Sequence, residues 1–187
     1  MSDLGLTIAG NAQSLPDSYH QKKGVIISVT PTVATGAGLV GGDILFNAVE
    51  LPKAVRQKGG LSKLVNITGT NISPLSVDHE LIFHKVYKVL GVIHAPPTLS
   101  DTALLTLGHL GHLRIQSADW SPLVSSGTGS GITYMQALES HADRSLPLMV
   151  QAEDDKTSIW VSSLALDSYN ITGASDMTWS FHFEYLD

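Results

Sequence analysis

Histidines and carboxylates are the side chains of this sequence best suited to acid–base or metal chemistry, because it contains no cysteine. That absence removes thiol catalysis, iron–sulfur ligation and cysteine-based zinc sites together. The most suggestive group is His79-Glu80-Leu81-Ile82-Phe83-His84. A zinc-protease helix needs histidines at i and i+4 on one helical face, whereas here Phe83 takes that place and the second histidine falls one residue later. On a strand, this odd spacing puts the two rings on opposite faces. His109 and His112 fail in the same way if their segment is extended, and only a helical turn brings them together. Histidines without a third ligand at a workable spacing predict no metal site.

The other reactive patterns fail on context. Gly36-Ala37-Gly38-Leu39-Val40-Gly41 matches a dinucleotide-binding fingerprint by letters. That mechanism needs a strand immediately before it and a helix N-terminus after it to hold the pyrophosphate. Pro31 intervenes upstream and strand-like Asp43-Ile44-Leu45-Phe46 follows, so the stretch reads as a glycine-rich link. Gly127-Thr128-Gly129-Ser130-Gly131 lacks the Lys-Ser/Thr ending of a phosphate loop and reads as a loop. No Gly-x-Ser-x-Gly elbow is present. Asp43, Glu50, Glu80, Glu139 and Glu153 are candidates for a glycosidase pair only as any carboxylates are. Trp120, Trp160 and Trp179 fit a core better than a sugar platform. The expectation is a non-enzyme without a cofactor.

The elements that would position these groups are short strands. Gly41 to Ile67 holds two apolar runs, Asp43 to Phe46 and Leu61 to Ile67, around Leu51-Pro52, a basic segment Lys53 to Lys58, and Gly59-Gly60. Proline removes a backbone donor and glycine supplies positive φ, so the chain turns back here and a small sheet nucleus is expected. Gly24 to Thr30, His79 to Val89, His112 to Gln116, Leu146 to Ala152 and Thr157 to Ala165 read as further strands. Val89 to Ile93 can continue as another before Pro96-Pro97. Ser100-Asp101 caps a short helix or turn over 101–107. Ser117 to Arg144 reads as a long irregular section with a brief helical stretch at Tyr134 to His141. The last strand alternates Met177, Trp179, Phe181, Phe183 and Tyr185 with polar residues, so one of its faces is buried.

Strands at short spacing with almost no long helix predict an all-β fold, an antiparallel β-sandwich or barrel-like domain with few short helices. One domain spans residues 24–187, and residues 1–23 are expected to be either a polar N-terminal arm ordered only against a neighbour or a frayed terminus. No targeting signal or internal repeat is apparent. No run approaches the ~20 apolar residues of a membrane span. Three Asn-x-Ser/Thr triplets, at Asn66, Asn71 and Asn170, carry no weight without secretion. The net charge of −6 argues against a nucleic-acid partner, since phosphate neutralisation supplies most of such affinity. Charged residues are 15% of the chain, against ~25% for ordinary soluble domains, as expected where a partner covers part of the surface or, equally, in a Ser/Thr/Gly-rich β protein.

One longer pattern adds to this reading. Gly42-Asp43-Ile44-Leu45 leads to Glu50-Leu51-Pro52-Lys53-Ala54-Val55-Arg56, then Gly59-Gly60 and an apolar strand. Leu81-Ile82-Phe83-His84 follows, then Ser158-Ile159-Trp160-Val161, and Ser175-Asp176 steps into the last strand. Across residues 25 to 187 this resembles the bacteriophage head decoration, or capsid cement, proteins. The lead-in and residues 117–145 have no counterpart in that pattern. The resemblance implies a β-rich protein, made in the host cytoplasm, that binds the outside of an assembled capsid. It also implies a homo-oligomer, commonly a trimer, with the major capsid protein as partner and no chemistry. The expected capsid contacts are Leu4, Leu6, Ile8 and Tyr19 on the arm, and the expected contacts between subunits are Trp120, Tyr134 and Met135. Two other readings stay open: a tail, baseplate or receptor-binding component, and a carbohydrate-binding module or hydrolase.

Overall fold

Short β-branched and aromatic runs separated by Pro, Gly and Asp become strands, and their alternation decides which side of each is buried. The computed structural model describes residues 23–72, 78–125, 131–136 and 146–186. In chain order the elements are β1 (Gly24–Val29), β2 (Gly36–Leu39), β3 (Ile44–Leu51), β4 (Leu61–Asn71) and β5 (His79–His84). They continue with α1 (Asp101–Leu105), β6 (His109–Ile115), β7 (Ser121–Ser125) and β8 (Gly131–Gln136). The last four are β9 (Leu148–Gln151), β10 (Ile159–Ala165), β11 (Tyr169–Ile171) and β12 (Met177–Tyr185).

The fold is all-β, built from antiparallel sheets. One sheet runs β1-β12-β4-β8-β7, with β9 also pairing with β4. The second runs β3-β10-β5-β6, and β11-β2 form a small ribbon. The alternation in β12 faces Met177, Trp179, Phe181 and Phe183 inward, each 3% exposed or less. Tyr185, the fifth member, is half-buried, and its hydroxyl donates to the Lys53 carbonyl at 2.9 Å. From the second sheet come Leu81, Phe83, Val161, Leu113 and Ile115. The sheets interlock through rings: Phe83 meets Phe181 edge-on at 5.7 Å, and Trp179 lies 5.7 Å from Trp120 and 5.2 Å from His79. Each large apolar side chain buried here contributes roughly 1.5–3 kcal/mol, so the β12 face is a main source of stability.

Several expectations change in three dimensions. The chain does turn back after β3, but into the other sheet: β3 pairs with β10, and β4 with β12. Residues 52–60 cap the sandwich because Ala54 and Val55 are fully buried. The Val55 amide donates to the Thr157 carbonyl at 3.1 Å, and the Ser62 hydroxyl donates to the Ala54 carbonyl at 2.6 Å. The glycine-rich link contains strand β2, paired with β11. Among the described residues of 117–144 there is more strand than expected. A short 3-10 turn at Ser117–Asp119 leads to β7, and β8 fills the edge of β4 that β9 leaves open. Tyr134 to Gln136 are therefore strand, not helix; residues 137–141 of that predicted helix lie outside the described residues. Val89 to Ile93 are not a strand. The helix predicted after Ser100 forms at Asp101–Leu105, with the Ser100 hydroxyl accepting from the Ala103 amide at 3.2 Å.

Candidate functional site

The strand spacing of His79 and His84 separates the two rings as geometry requires. His79 turns inward against Trp120 and Trp179. His84 turns to the outer side of its sheet, where it is also buried. Its Nδ1–H donates to the Val86 carbonyl at 2.7 Å, so neutral Nε2 accepts from the Ser162 hydroxyl at 3.0 Å. Burial holds its pKa below the ordinary 6.5, outweighing the hydrogen bond to Val86, which acts the other way. Both of its ring nitrogens are engaged in structural hydrogen bonds.

The outer face of this sheet is covered by the connection from β5 to β6, residues 85–108, which lies across it as a strap. Asn47 on β3 pins the strap: its Nδ2 donates to the Gly91 carbonyl at 2.8 Å and its Oδ1 accepts from the Leu90 amide at 2.9 Å. The Ile44 amide donates to the Ala95 carbonyl and the His94 amide to the Ile44 carbonyl, both at 2.9 Å. At the strap's ends, the Lys85 amide donates to the Gly108 carbonyl at 2.8 Å.

Strap and sheet leave a groove of about 540 Å³ between them. Glu80, Ile82, His109, His112 and Leu164 line it from the sheet, and Leu90, Pro97, Leu99, Leu104 and Leu107 from the strap. His109 and His112 share a face although the segment is a strand. The pairing skips Leu110, with Phe83 opposite Gly111 and His84 opposite His109, and this bulge returns the two rings to one side. They stack at 5.8 Å with 23° between their planes. Gly111 makes the bulge possible: its φ is 151°, and a Cβ there would lie 2.5 Å from Leu148 Cδ1. His112 Nε2 lies 3.6 Å from Glu80 Oε1, with both side chains partly open to water, so the pair is worth at most about 1 kcal/mol.

Chemically, the groove offers one carboxylate and two imidazoles on an otherwise apolar wall. None of the lining residues is a hydroxyl, amine or thiol nucleophile. No group of three histidines, aspartates or glutamates among the described residues can hold a metal ion. A mostly apolar lining with a few convergent polar groups fits a bound apolar group. Glu80, His109 and His112 each stood out in the sequence, but their meeting did not, because nothing in a single chain announces a bulge.

The remaining candidates are dispersed. Asp43 is buried, with Oδ2 accepting from the Val40 amide at 3.1 Å, and Glu50 accepts from the Ser158 hydroxyl at 2.6 Å. Both are structural contacts. Glu139 lies outside the described residues. Trp160 is half-buried and packs 4.7 Å from Tyr87. Trp120, expected at a subunit contact, is 6% exposed and packed on Trp179. Tyr134 and Met135 lie on β8, opposite Thr70 and Gly69 of β4. Leu4, Leu6, Ile8 and Tyr19 lie outside the described residues. The glycine fingerprint has no helix after it, because Gly41-Gly42 leads into β3.

No family model matches this sequence. No curated protein matches it either. Among solved structures, it is similar to the VP2 subviral particle of infectious bursal disease virus, at 11% identity over 89% of this chain and 38% of that one, with a TM-score of 0.20. The Gx strain of the same virus gives 10% identity over 86% and 36%, with a TM-score of 0.19. The chain thus spans well under half the length of these proteins. A likeness at such TM-scores carries no argument about what this chain does.

Proposed function

We propose that this chain is a non-enzymatic structural protein of a bacteriophage virion, one that binds the outer surface of the capsid as a homotrimer and stabilises the shell. The observation that carries the reading is a thinly charged surface with large apolar side chains left open to water. Val92 is 73% exposed and Leu105 85%, and both belong to the strap. Ile26, Tyr87, Val89 and Leu104 are exposed as well. Large apolar side chains gathered on the strap in this way mark a candidate contact with other macromolecules. The outer face of the first sheet adds an uncharged hydroxyl ladder, with Ser28 2.7 Å from Ser180 and Thr30 2.9 Å from Thr178. Support also comes from the resemblance of Gly42-Asp43, Arg56 and Gly59-Gly60 to the decoration-protein pattern.

A protein that binds only the intact shell stabilises it by mass action, about 2.7 kcal/mol per site at a hundredfold excess over its Kd. Summed over many sites, that small gain becomes resistance to heat. The test compares particles assembled with and without this chain. Particles carrying it resist heat and chelators better, and densitometry finds it in copy numbers comparable to the major shell protein. Unchanged resistance, or a handful of copies per particle, removes the reading; few copies would point to a tail or baseplate part.

A further inference from the structure

We propose that copies of this chain bind one another through the strap, with Leu105 of one copy entering the groove of the next. The inference deepens the self-association in the function proposed above and does not require a capsid.

The first ground is α1. Its sequence, Asp101-Thr102-Ala103-Leu104-Leu105, is rich in apolar residues, yet none of them is buried in its own chain. Leu104 is 58% exposed and Leu105 85%. The helix is nonetheless well formed, capped by Ser100 and closed by the Thr106 hydroxyl donating to the Thr102 carbonyl at 3.0 Å. So short a helix has little stability of its own, and the chain here holds a leucine pair outward in a set geometry.

The second ground is that a receiving site lies beside it. The groove holds about 540 Å³, is walled by leucines, isoleucine and proline, and opens next to Leu104. Projecting knob and apolar groove thus share one face of one chain. Leu104 belongs to the groove wall and Leu105 projects beside it, so a contact between copies is either reciprocal about a two-fold axis or head to tail. The head-to-tail form closes into a ring if its rotation divides a full turn, and a trimer is the ring of three.

The third ground is polarity. Asp101 and Leu105 are four residues apart and lie on the same side of the helix. Seating Leu105 would carry Asp101 toward the groove wall that holds His109 and His112. The strap's other charged groups are Lys85 and Lys88, opposite in sign to Glu80 on the receiving wall.

The absence of cysteine makes the test direct. Leu105→Cys and Pro97→Cys each introduce a single thiol, one on the knob and one on the groove wall. The two purified variants, mixed and treated with a short bismaleimide, give a crosslinked dimer at least tenfold above either variant alone. Leu105→Glu moves the free protein from oligomer to monomer in sedimentation, with its thermal unfolding unchanged. A wild-type chain that is monomeric at every concentration overturns the inference. So does an oligomer that survives Leu105→Glu and yields no mixed crosslink, or Leu105→Cys crosslinking to itself as efficiently as to Pro97→Cys. A monomeric Leu105→Glu protein that still fills capsids supports the inference and shows shell binding to be separate. A monomeric wild type that needs Leu105 only for capsid occupancy refutes the inference and leaves shell binding standing without the homotrimer.

Discussion

Replacing Asn47 with alanine tests whether the strap is a held wall or a loose cover. The side chain makes two hydrogen bonds to the strap, donating to the Gly91 carbonyl at 2.8 Å and accepting from the Leu90 amide at 2.9 Å. Losing the first costs about 0.5–1.5 kcal/mol net. Losing the second costs more, about 1–3 kcal/mol, because Leu90 is 3% exposed and its N–H is left without an acceptor. The sum is about 1.5–4.5 kcal/mol. At about 2–4 °C per kcal/mol for a chain of this size, Tm falls by about 3–18 °C. Differential scanning calorimetry reads the global loss, and hydrogen exchange locates it. The Leu90 and Thr98 amides exchange at least tenfold faster, while those of Ile67 and Phe181 change only with global stability. A Tm within about 1 °C of wild type, with Leu90 protection unchanged, refutes the reasoning.

Three further outcomes follow from particular contacts. Gly69→Ala places a Cβ 2.5 Å from Trp179 Cζ3, a fully buried ring, so the variant loses about 1–3 kcal/mol in urea unfolding and shifts its tryptophan emission. Gly111→Ala drives a Cβ against Leu148 at a φ that other residues rarely adopt; a similar loss is expected, and the His109 and His112 ring signals in NMR move as their stacking is disturbed. His84 has its pKa lowered in the fold, so the unfolded chain takes up its proton first as pH falls through 6.5. Its contribution is fully present above that value and is lost toward the lower folded pKa. Between pH 7.5 and 5.5 the wild type therefore loses more Tm than His84→Asn, and equal losses in the two proteins refute the assignment.

Much of the sandwich was legible from local pattern. Period-two alternation in Met177 to Tyr185 needs no tertiary information, because successive side chains of a strand must point to opposite faces. The Ser100 cap and the opposed rings of His79 and His84 follow from equally local rules. What failed was pairing. β3 and β4 are neighbours in sequence and belong to different sheets, since the cap at residues 52–60 is itself apolar at Ala54 and Val55. Tyr134 to Gln136 read as helical, yet the unpaired edge of β4 draws them into a strand. Tertiary hydrogen bonding outweighs a weak intrinsic preference.

The amino-acid order alone determined an all-β chain with aromatic residues along one face of its last strand and no pattern of reactive groups at a workable spacing. Each of these is set by dihedral geometry and by residues a few positions apart. Only the tertiary structure decided that a skipped residue beside Gly111 would stack His109 on His112, and that the strap would arch over the second sheet to leave an apolar groove next to an exposed leucine pair. Those features depend on groups distant in sequence arriving at one surface, which requires the sheets to pair first.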